Sequence, residues 1–193
     1  RVYAVREFRA SSRNTQTRKA AETPWRFGQY RPPSKQYIAF AKVSSQRRRY
    51  IPFGFLTDEV IPGDKLFTVP NATLYHFGVL QSLTHSAWMR VVAGRLKSDY
   101  SYSTTIVYND FIWPGVSPSN AKTPVEEAVP LDIRLRIEKS AQAVLDARET
   151  CNGSTMADLY DPDNEWMFPE LTKAHRELDA AVEAAYGVDF QGD

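Results

Sequence analysis

The spacing of apolar residues changes along the chain, and the first stretches predict strands. Residues 37–43 are aromatic and β-branched, which is typical of a strand, and residues 50–56 are expected to form its partner. Pro62-Gly63-Asp64 predicts a turn, and residues 66–69 predict another short strand. Residues 1–23 are polar and basic with poor apolar spacing, so they predict only a short strand or helix.

A helical period follows these strands. Between about residues 74 and 93, apolar side chains recur at intervals of three and four, which predicts one amphipathic helix. Gly94 lies where such a helix would end. Residues 104–108 then have the composition of a strand. Together these patterns predict a mixed α/β domain over residues 1–114.

The remainder of the chain is predicted to be helical. Residues 115–130 contain three prolines and are expected to form a linker across the surface. Apolar stripes over residues 133–148 and 171–185 predict two helices, and Ser154 is expected to cap a short helix between them. The predicted fold class is therefore α+β, with a mixed α/β domain followed by an α-helical region over residues 131–193.

The net charge of +1 conceals a strong opposition between the two parts of the chain. Residues 1–114 carry 17 lysines and arginines against 7 acids, whereas residues 115–193 carry 7 against 16. A basic half of this kind indicates contact with nucleic acid. The alternative is that the two halves attract each other, and both interpretations can hold together.

Several classes of protein are disfavoured by the composition. Cys151 is the only cysteine, so neither a disulfide framework nor a cysteine metal site is expected, which suits a reducing cytoplasm. No apolar run approaches the roughly 20 residues that cross a bilayer, so a cytoplasmic location without membrane contact is expected. The chain begins with Arg1 rather than Met, which suggests a piece of a longer protein or a processed product.

A basic run supplies candidate contacts to phosphate. Arg47, Arg48 and Arg49 follow a pair of serines that includes Ser45, and arginine and serine are common partners of DNA phosphates. On a strand, Arg47 and Arg49 would share one face, with Arg48 opposite. Arg31 is a further candidate for DNA contact. The alternative is a basic run that is merely solvated.

Lys97-Ser98-Asp99 is the sharpest candidate for reading bases. Two charged residues separated by one would lie on the same side of an extended backbone. Lysine can donate to O6 and N7 of guanine, and aspartate can accept from N4 of cytosine, so the pair could read one G·C pair. The alternative is a local ion pair on the surface, which would contribute very little.

The residues around this pair complete the candidate set. Arg95 precedes it, and Tyr100, Tyr102 and Ser103 follow it. Their donors, hydroxyls and aromatic faces are of the kinds that hold a nucleic-acid strand. Of the two tyrosines, we expect one ring to pack in the core and the other to face DNA.

Ordered blocks of the sequence resemble the target recognition domain of MmeI-like adenine-specific DNA methyltransferases, which are long bacterial restriction-modification proteins. The blocks are Val43–Pro52, Tyr75–Leu80, Phe77–Pro114, Ala157–Pro162 and Ala174–Asp179. Agreement of several blocks over nearly the whole chain is specific. The chain departs from the family at Gln46, Ser101 and Ile112, where Glu, Arg and Pro are usual.

The resemblance implies a role in sequence readout. It implies that positions matching Lys97 and Asp99 are specificity determinants, and that the parent protein methylates adenine N6 at an asymmetric duplex site. The expected partners are double-stranded DNA and an upstream methyltransferase domain of the same chain, with a nuclease domain as a possible addition. A scaffold or protein-interaction module that uses the acidic helical half is the alternative.

Catalysis by this chain alone is not expected. An adenine methyltransferase needs a glycine-rich loop for S-adenosylmethionine and an Asn/Asp-Pro-Pro-aromatic motif for the target amine, and the sequence contains neither. We therefore expect no cofactor, metal or catalytic residue in this piece. The resemblance implies that S-adenosylmethionine binds in a methyltransferase domain outside this chain.

Overall fold

A computed structural model describes residues 1–26 and 33–188, and the chain divides into compact units at 1–34 and 35–193. The first unit holds helices α1 (Val2–Ala10) and α2 (Thr15–Lys19) and a 3₁₀ turn (Ala20–Glu22). The Asn14 side chain caps α2 by accepting from two backbone N–H groups of its first turn. Of the two possibilities that the sequence left open for this segment, the helix is the one formed.

The second unit contains two small antiparallel sheets. Their strands are β1 (Tyr37–Ala41), β2 (Val43–Ser44), β3 (Phe53–Leu56), β4 (Leu66–Pro70), β5 (Gly94–Leu96) and β6 (Asp99–Ser101). One sheet has the order β3-β1-β4, and the other has the order β2-β6-β5. The strand predictions at 37–43, 50–56 and 66–69 are confirmed in position; β1 and β3 are shorter than predicted, and β4 extends to Pro70.

The helices of the second unit are α3 (Leu74–Gln81), α4 (Leu83–Val92), α5 (Leu131–Thr150), α6 (Met156–Leu159) and α7 (Pro169–Ala185). Two short 3₁₀ segments lie at Val125–Glu127 and Pro162–Met167. Helices α5 and α7 pack against each other and against α3. The C-terminal helices thus pack on the earlier part of the second unit, and the α+β fold class is as predicted.

The single helix predicted over residues 74–93 is wrong, because Ser82 breaks it into α3 and α4. Ser82 adopts an extended backbone, with ψ of 162°, and its hydroxyl donates to the carbonyl of Val79. The same oxygen accepts from the backbone N–H of His85. One serine therefore ends α3 and caps α4, and the two helices can turn relative to each other.

The strand predicted at 104–108 is also wrong, because Thr104–Tyr108 is a short π-helix. The Ser103 hydroxyl caps it by accepting from the N–H of Ile106. The indole N–H of Trp88 donates to the carbonyl of Val107 at 2.9 Å. These side-chain hydrogen bonds outweigh the preference of β-branched residues for a strand.

The predicted cap at Ser154 is displaced by one residue. Thr155 accepts from the N–H of Asp158, and the Asp158 carboxylate accepts in turn from the N–H of Thr155. This reciprocal capping box satisfies both ends of the first turn of α6. The hydrogen bonds from Thr155 also lower the pKa of Asp158.

The core centres on α3. Its residues from Phe77 to Gln81 are all buried, and α3 packs against strand β3 and against helices α5 and α7. A larger residue would not fit at Gly78, because a Cβ there would lie 2.7 Å from Cγ2 of Ile137 in α5. The close approach of α3 and α5 therefore depends on this glycine.

Candidate nucleic-acid interface

The candidate base-reading residues lie at the tip of a hairpin. Strands β5 and β6 pair Leu96 with Asp99, which leaves Lys97 and Ser98 as a two-residue turn. Lys97 has φ of +57°, the left-handed conformation that such tight turns require. The expected extended backbone is therefore wrong. Lys97 is exposed at the tip, and Asp99 lies where the second strand begins.

The carboxylate of Asp99 is held from outside the hairpin. Its Oδ1 accepts from the backbone N–H of Gln46 at 3.3 Å. Among the residues that the structure describes, no ion pair joins Asp99 to Lys97. The alternative of a local ion pair is therefore not formed, and Lys97 keeps its amino group available to a ligand.

Arg95 closes the hairpin turn. Its guanidinium lies over the ring of Tyr100, 3.8 Å from the centroid, and its Nη1 donates to the carbonyl of Ser98 at 2.9 Å. Both contacts lie within the hairpin. The side chain that we expected to contact DNA is therefore also a brace for the turn that presents Lys97.

Tyr100 and Tyr102 are both buried, with 8% and 6% of their surfaces exposed. The expectation that one of the two rings would be exposed is wrong. The hydroxyl of Tyr102 is hydrogen-bonded to Nε2 of His85 at 3.0 Å, and burial raises the pKa of Tyr102. Ser103 is half-buried and is occupied in capping the π-helix.

The arginine run forms a loop rather than a strand. We call residues 45–49 the basic loop; its backbone turns, and the N–H of Arg48 donates to the carbonyl of Ser45 at 3.2 Å. The expected alternation of Arg47 and Arg49 against Arg48 is therefore wrong. The Arg90 guanidinium donates to the carbonyls of Arg48 and Arg49, which fixes the loop backbone against α4.

The side chains of the basic loop differ in their partners. Arg47 forms an exposed ion pair with Asp163, with Nη2 2.6 Å from Oδ1. Asp163 also raises the pKa of Arg47, mainly through that hydrogen bond and then through its negative charge. Ser45 accepts from the N–H of Arg47 through its hydroxyl. Arg31, the remaining candidate, lies outside the described residues.

A buried polar cluster joins this surface to the C-terminal helices. Asp179 accepts from the hydroxyl of Tyr50 and from the backbone N–H of Leu83, each at 2.7 Å. The ring of His175 stacks on that of Tyr50, with centroids 4.0 Å apart. Sequence reasoning missed this cluster, although His175 and Asp179, spaced by four residues beside the apolar stripe of α7, were a usable signal.

The cluster continues through α5. The hydroxyl of Tyr160 is 2.7 Å from Nε2 of His175 and accepts from the guanidinium of Arg148. Arg148 also donates to the carbonyl of Phe53 at 2.7 Å and to Oε1 of Gln81 at 2.8 Å. A single arginine thus joins α5 to β3 and to the end of α3.

Burial shifts the ionisation of this cluster and its neighbours. It lowers the pKa of both His85 and His175 to about 3, so both imidazoles are neutral near pH 7. It raises the pKa of Asp179 to about 6, against the opposing effects of the Tyr50 and Leu83 hydrogen bonds. Near pH 7 the Asp179 carboxylate is therefore ionised and acts only as an acceptor.

Comparisons with known proteins identify the family of this chain. A family model described as the MmeI target recognition domain matches residues 1–115, and one described as the MmeI C-terminal domain matches residues 132–193. DNA methyltransferase A of Bacillus subtilis (strain 168) is 36% identical over 186 residues, which are 96% of this chain and 19% of that protein.

A solved structure leads to the same family. It is that of the Type IIL restriction-modification enzyme MmeI in complex with DNA, and it matches with a TM-score of 0.82 at 37% identity. The match covers 97% of this chain and 23% of that one, so this chain spans only about a fifth of the length of these relatives. The chain belongs to the MmeI family, whose target recognition and C-terminal domains it matches.

Proposed function

We propose that this chain is the sequence-specific duplex DNA recognition module of an adenine-N6 DNA methyltransferase. The observation that carries the proposal is the tip of the β5–β6 hairpin. There Lys97 is exposed and unpaired with Asp99, and Asp99 is held by the backbone of the adjacent basic loop. The match to a target recognition domain and the DNA complex of MmeI support this assignment.

The two parts of this surface would divide the work of recognition. Lys97 and Asp99 would read the edges of a G·C pair in the major groove, Lys97 at the guanine and Asp99 at the cytosine. The basic loop, with Ser45, Arg47 and Arg48, would contact phosphates and fix the register of the hairpin on the duplex. The hydrogen bond from Gln46 to Asp99 ties these two parts together.

Activity of the whole protein belongs to the same proposal. The parent would methylate adenine in the cytoplasm with S-adenosylmethionine, in a domain upstream of this chain, with or without a nuclease. Residues of this chain do not fit that cofactor, because they include neither a glycine-rich loop nor an Asn/Asp-Pro-Pro-aromatic motif. Separately, among the described residues no helix is both long and apolar enough to span a membrane.

The test is a titration of the chain with duplex DNA over a range of salt concentrations. If about five phosphates are neutralised, the logarithm of the association constant should fall against the logarithm of salt with a slope of about −4 to −5. Arg48→Ala should weaken binding to all sequences and make the slope shallower by about one. Lys139→Ala, which removes an exposed charge from α5, is the matched control.

The competing scaffold role makes the opposite prediction. A protein-interaction module that used the acidic helices would show little duplex binding at low salt, and its response to salt would be flat. Either result in the wild-type titration would overturn the DNA-recognition proposal.

A further inference from the structure

The end of the basic loop is attached to the C-terminal region through one carboxylate. Tyr50 follows the loop directly, and its hydroxyl donates to Oδ2 of Asp179 in α7 at 2.7 Å. The Tyr50 ring is 8% exposed, and it stacks on His175 one turn earlier in α7. The backbone that leaves the loop therefore has little freedom to shift.

The same carboxylate also fixes the helix that supports the loop. Its second oxygen, Oδ1, accepts from the backbone N–H of Leu83, the first residue of α4. Near the other end of α4, Arg90 donates to the carbonyls of Arg48 and Arg49. The loop is thus held in its middle by α4 and at its end by α7, and Asp179 joins both supports.

These contacts form a closed arrangement of three elements. If the carboxylate were lost, Tyr50 would keep its ring packing but lose its anchor, and the first turn of α4 would lose a charged acceptor. Hydrogen bonds to a charged group are stronger than neutral ones, so one residue has effects on both supports. The arginines at 47 and 48 would then be presented on a looser backbone.

We infer that Asp179 of the C-terminal helical region is a positioning residue for DNA binding, because it sets the geometry of the basic loop without touching DNA. This inference rests on the proposed function. It assigns the C-terminal helices an indirect role in DNA binding, in which they hold the loop that contacts phosphate, in addition to covering the core.

The test uses Asp179→Asn and Tyr50→Phe in the chain of residues 1–193. Each variant should weaken duplex binding about five- to tenfold at constant salt and make the salt slope shallower by about one, as expected for the loss of a phosphate contact. The matched control is Val182→Ala, which removes buried volume from α7 and keeps the Asp179 carboxylate. It should lower the melting temperature and leave DNA affinity unchanged.

A second readout follows the loop without DNA. Trypsin cuts after arginine, and in the wild type the carbonyls of Arg48 and Arg49 are held by Arg90, so cleavage there should be slow. Both variants should accelerate cleavage after these residues at least severalfold, at a temperature where circular dichroism shows them folded. Tyr50→Phe keeps the test possible if Asp179→Asn does not fold.

The outcomes separate the two ideas. Faster loop cleavage with weaker DNA binding, in the Asp179 or Tyr50 variant but not in Val182→Ala, supports the inference. The inference is overturned if the wild type binds DNA as proposed but the Asp179 and Tyr50 variants match Val182→Ala in both cleavage rate and DNA affinity. If wild-type binding is itself absent or its response to salt is flat, the proposed function fails, and the inference fails with it.

Discussion

Lys97 and Asp99 occupy different environments although only one residue separates them. Lys97 lies in a left-handed turn and projects from the hairpin, whereas Asp99 begins a strand and is held by the N–H of Gln46. A positive φ at a lysine is uncommon, since glycine or asparagine usually fills such a position. The turn therefore keeps a charged side chain where a smaller residue would be conformationally easier.

Exchanging these two charges should change one position of the recognised sequence. We expect Lys97→Glu with Asp99→Arg to reverse the preference from G·C to C·G there, because donor and acceptor change places. Each correct contact is worth roughly 1–3 kcal/mol, or about 5- to 150-fold in discrimination. The measurement is a binding or methylation profile over all four base pairs at every position of the site.

A charge exchange on α5, Lys139→Glu with Asp146→Arg, is the control for this profile. It should leave the preference intact. If the hairpin variant also keeps its preference, Lys97 and Asp99 do not read bases, and a uniform loss of affinity would instead identify Lys97 as a phosphate contact.

Asp163 forms an ion pair with the guanidinium of Arg47, which we propose contacts a DNA phosphate. Because its ion pair with Arg47 is exposed on both sides, Asp163→Asn should leave stability nearly unchanged. It should tighten duplex binding at low salt by about two- to threefold, since the Arg47 guanidinium would no longer have to leave the Asp163 carboxylate to bind a phosphate. Glu149→Gln, which removes an exposed charge from α5, is the control, and an equal gain in both variants would show only an effect of net charge.

At the scale of the elements, the close packing of α3 on α5 depends on the absence of a side chain at Gly78. A Cβ on Gly78 would lie 2.7 Å from Cγ2 of Ile137 and 3.2 Å from Cβ of Ala141. Neither neighbour is the far end of a flexible chain, so α5 would have to move. The helix would gain from alanine's higher propensity, by about 1 kcal/mol, but the clash opposes that gain.

We expect Gly78→Ala to lower the free energy of unfolding by about 1–3 kcal/mol, as overpacking of a core does. The control is Gly54→Ala in β3, where a Cβ would meet no atom within 4 Å. Urea unfolding of both variants is the measurement. Similar stability of the two would show that α3 and α5 can separate without loss.

Prediction from sequence succeeded where the local pattern determined the element. Apolar periodicity located α5 and α7, and aromatic and β-branched content located β1 and β3. It failed at Ser82 and at residues 104–108, where side-chain hydrogen bonds override the pattern. It also missed the hairpin turn, because neither Lys97 nor Ser98 is the glycine or asparagine that usually marks one.

The rest of the site was beyond prediction from local pattern. Tyr50 and Asp179 are 129 positions apart, and Arg47 and Asp163 are 116 apart. Periodicity shows which face of a helix is buried, but it does not show which residue that face meets. The assignment of base readout to the residues near 97 stays a prediction, and the supports that hold them come from distant elements.

At the scale of the whole molecule, buried titratable groups should make stability depend on pH. His85 and His175 have pKa values lowered to about 3, so the unfolded chain binds protons below about pH 6.5 that the folded chain does not. Stability is therefore lost as pH falls through that window. Asp179, with its pKa raised to about 6, opposes the loss, because the folded chain binds its proton first.

The two histidines outweigh the single aspartate. Between pH 7.5 and pH 5 we expect the free energy of unfolding to fall by about 3 kcal/mol, at about 1.4 kcal/mol for each unit of pH and each group. Asp179→Asn removes the opposing group, so its loss over the same range should be steeper than in the wild type. Urea unfolding at several pH values is the measurement, and a flat profile would contradict the neutral state of the buried imidazoles.

The hydrogen bonds of Arg148 and Asp179 bear on how relatives can be recombined. A chimera that combines residues 35–114 of this chain with α5–α7 of another protein would leave Phe53, Gln81 and Tyr50 without their partners unless the donor supplies an arginine and an aspartate at the matching places. Each mismatch would leave a buried polar group without a hydrogen-bond partner. The workable piece for exchange is therefore residues 35–188 taken together. Under the proposed base readout by Lys97 and Asp99, changes of specificity within it are best made as side-chain substitutions at the hairpin tip.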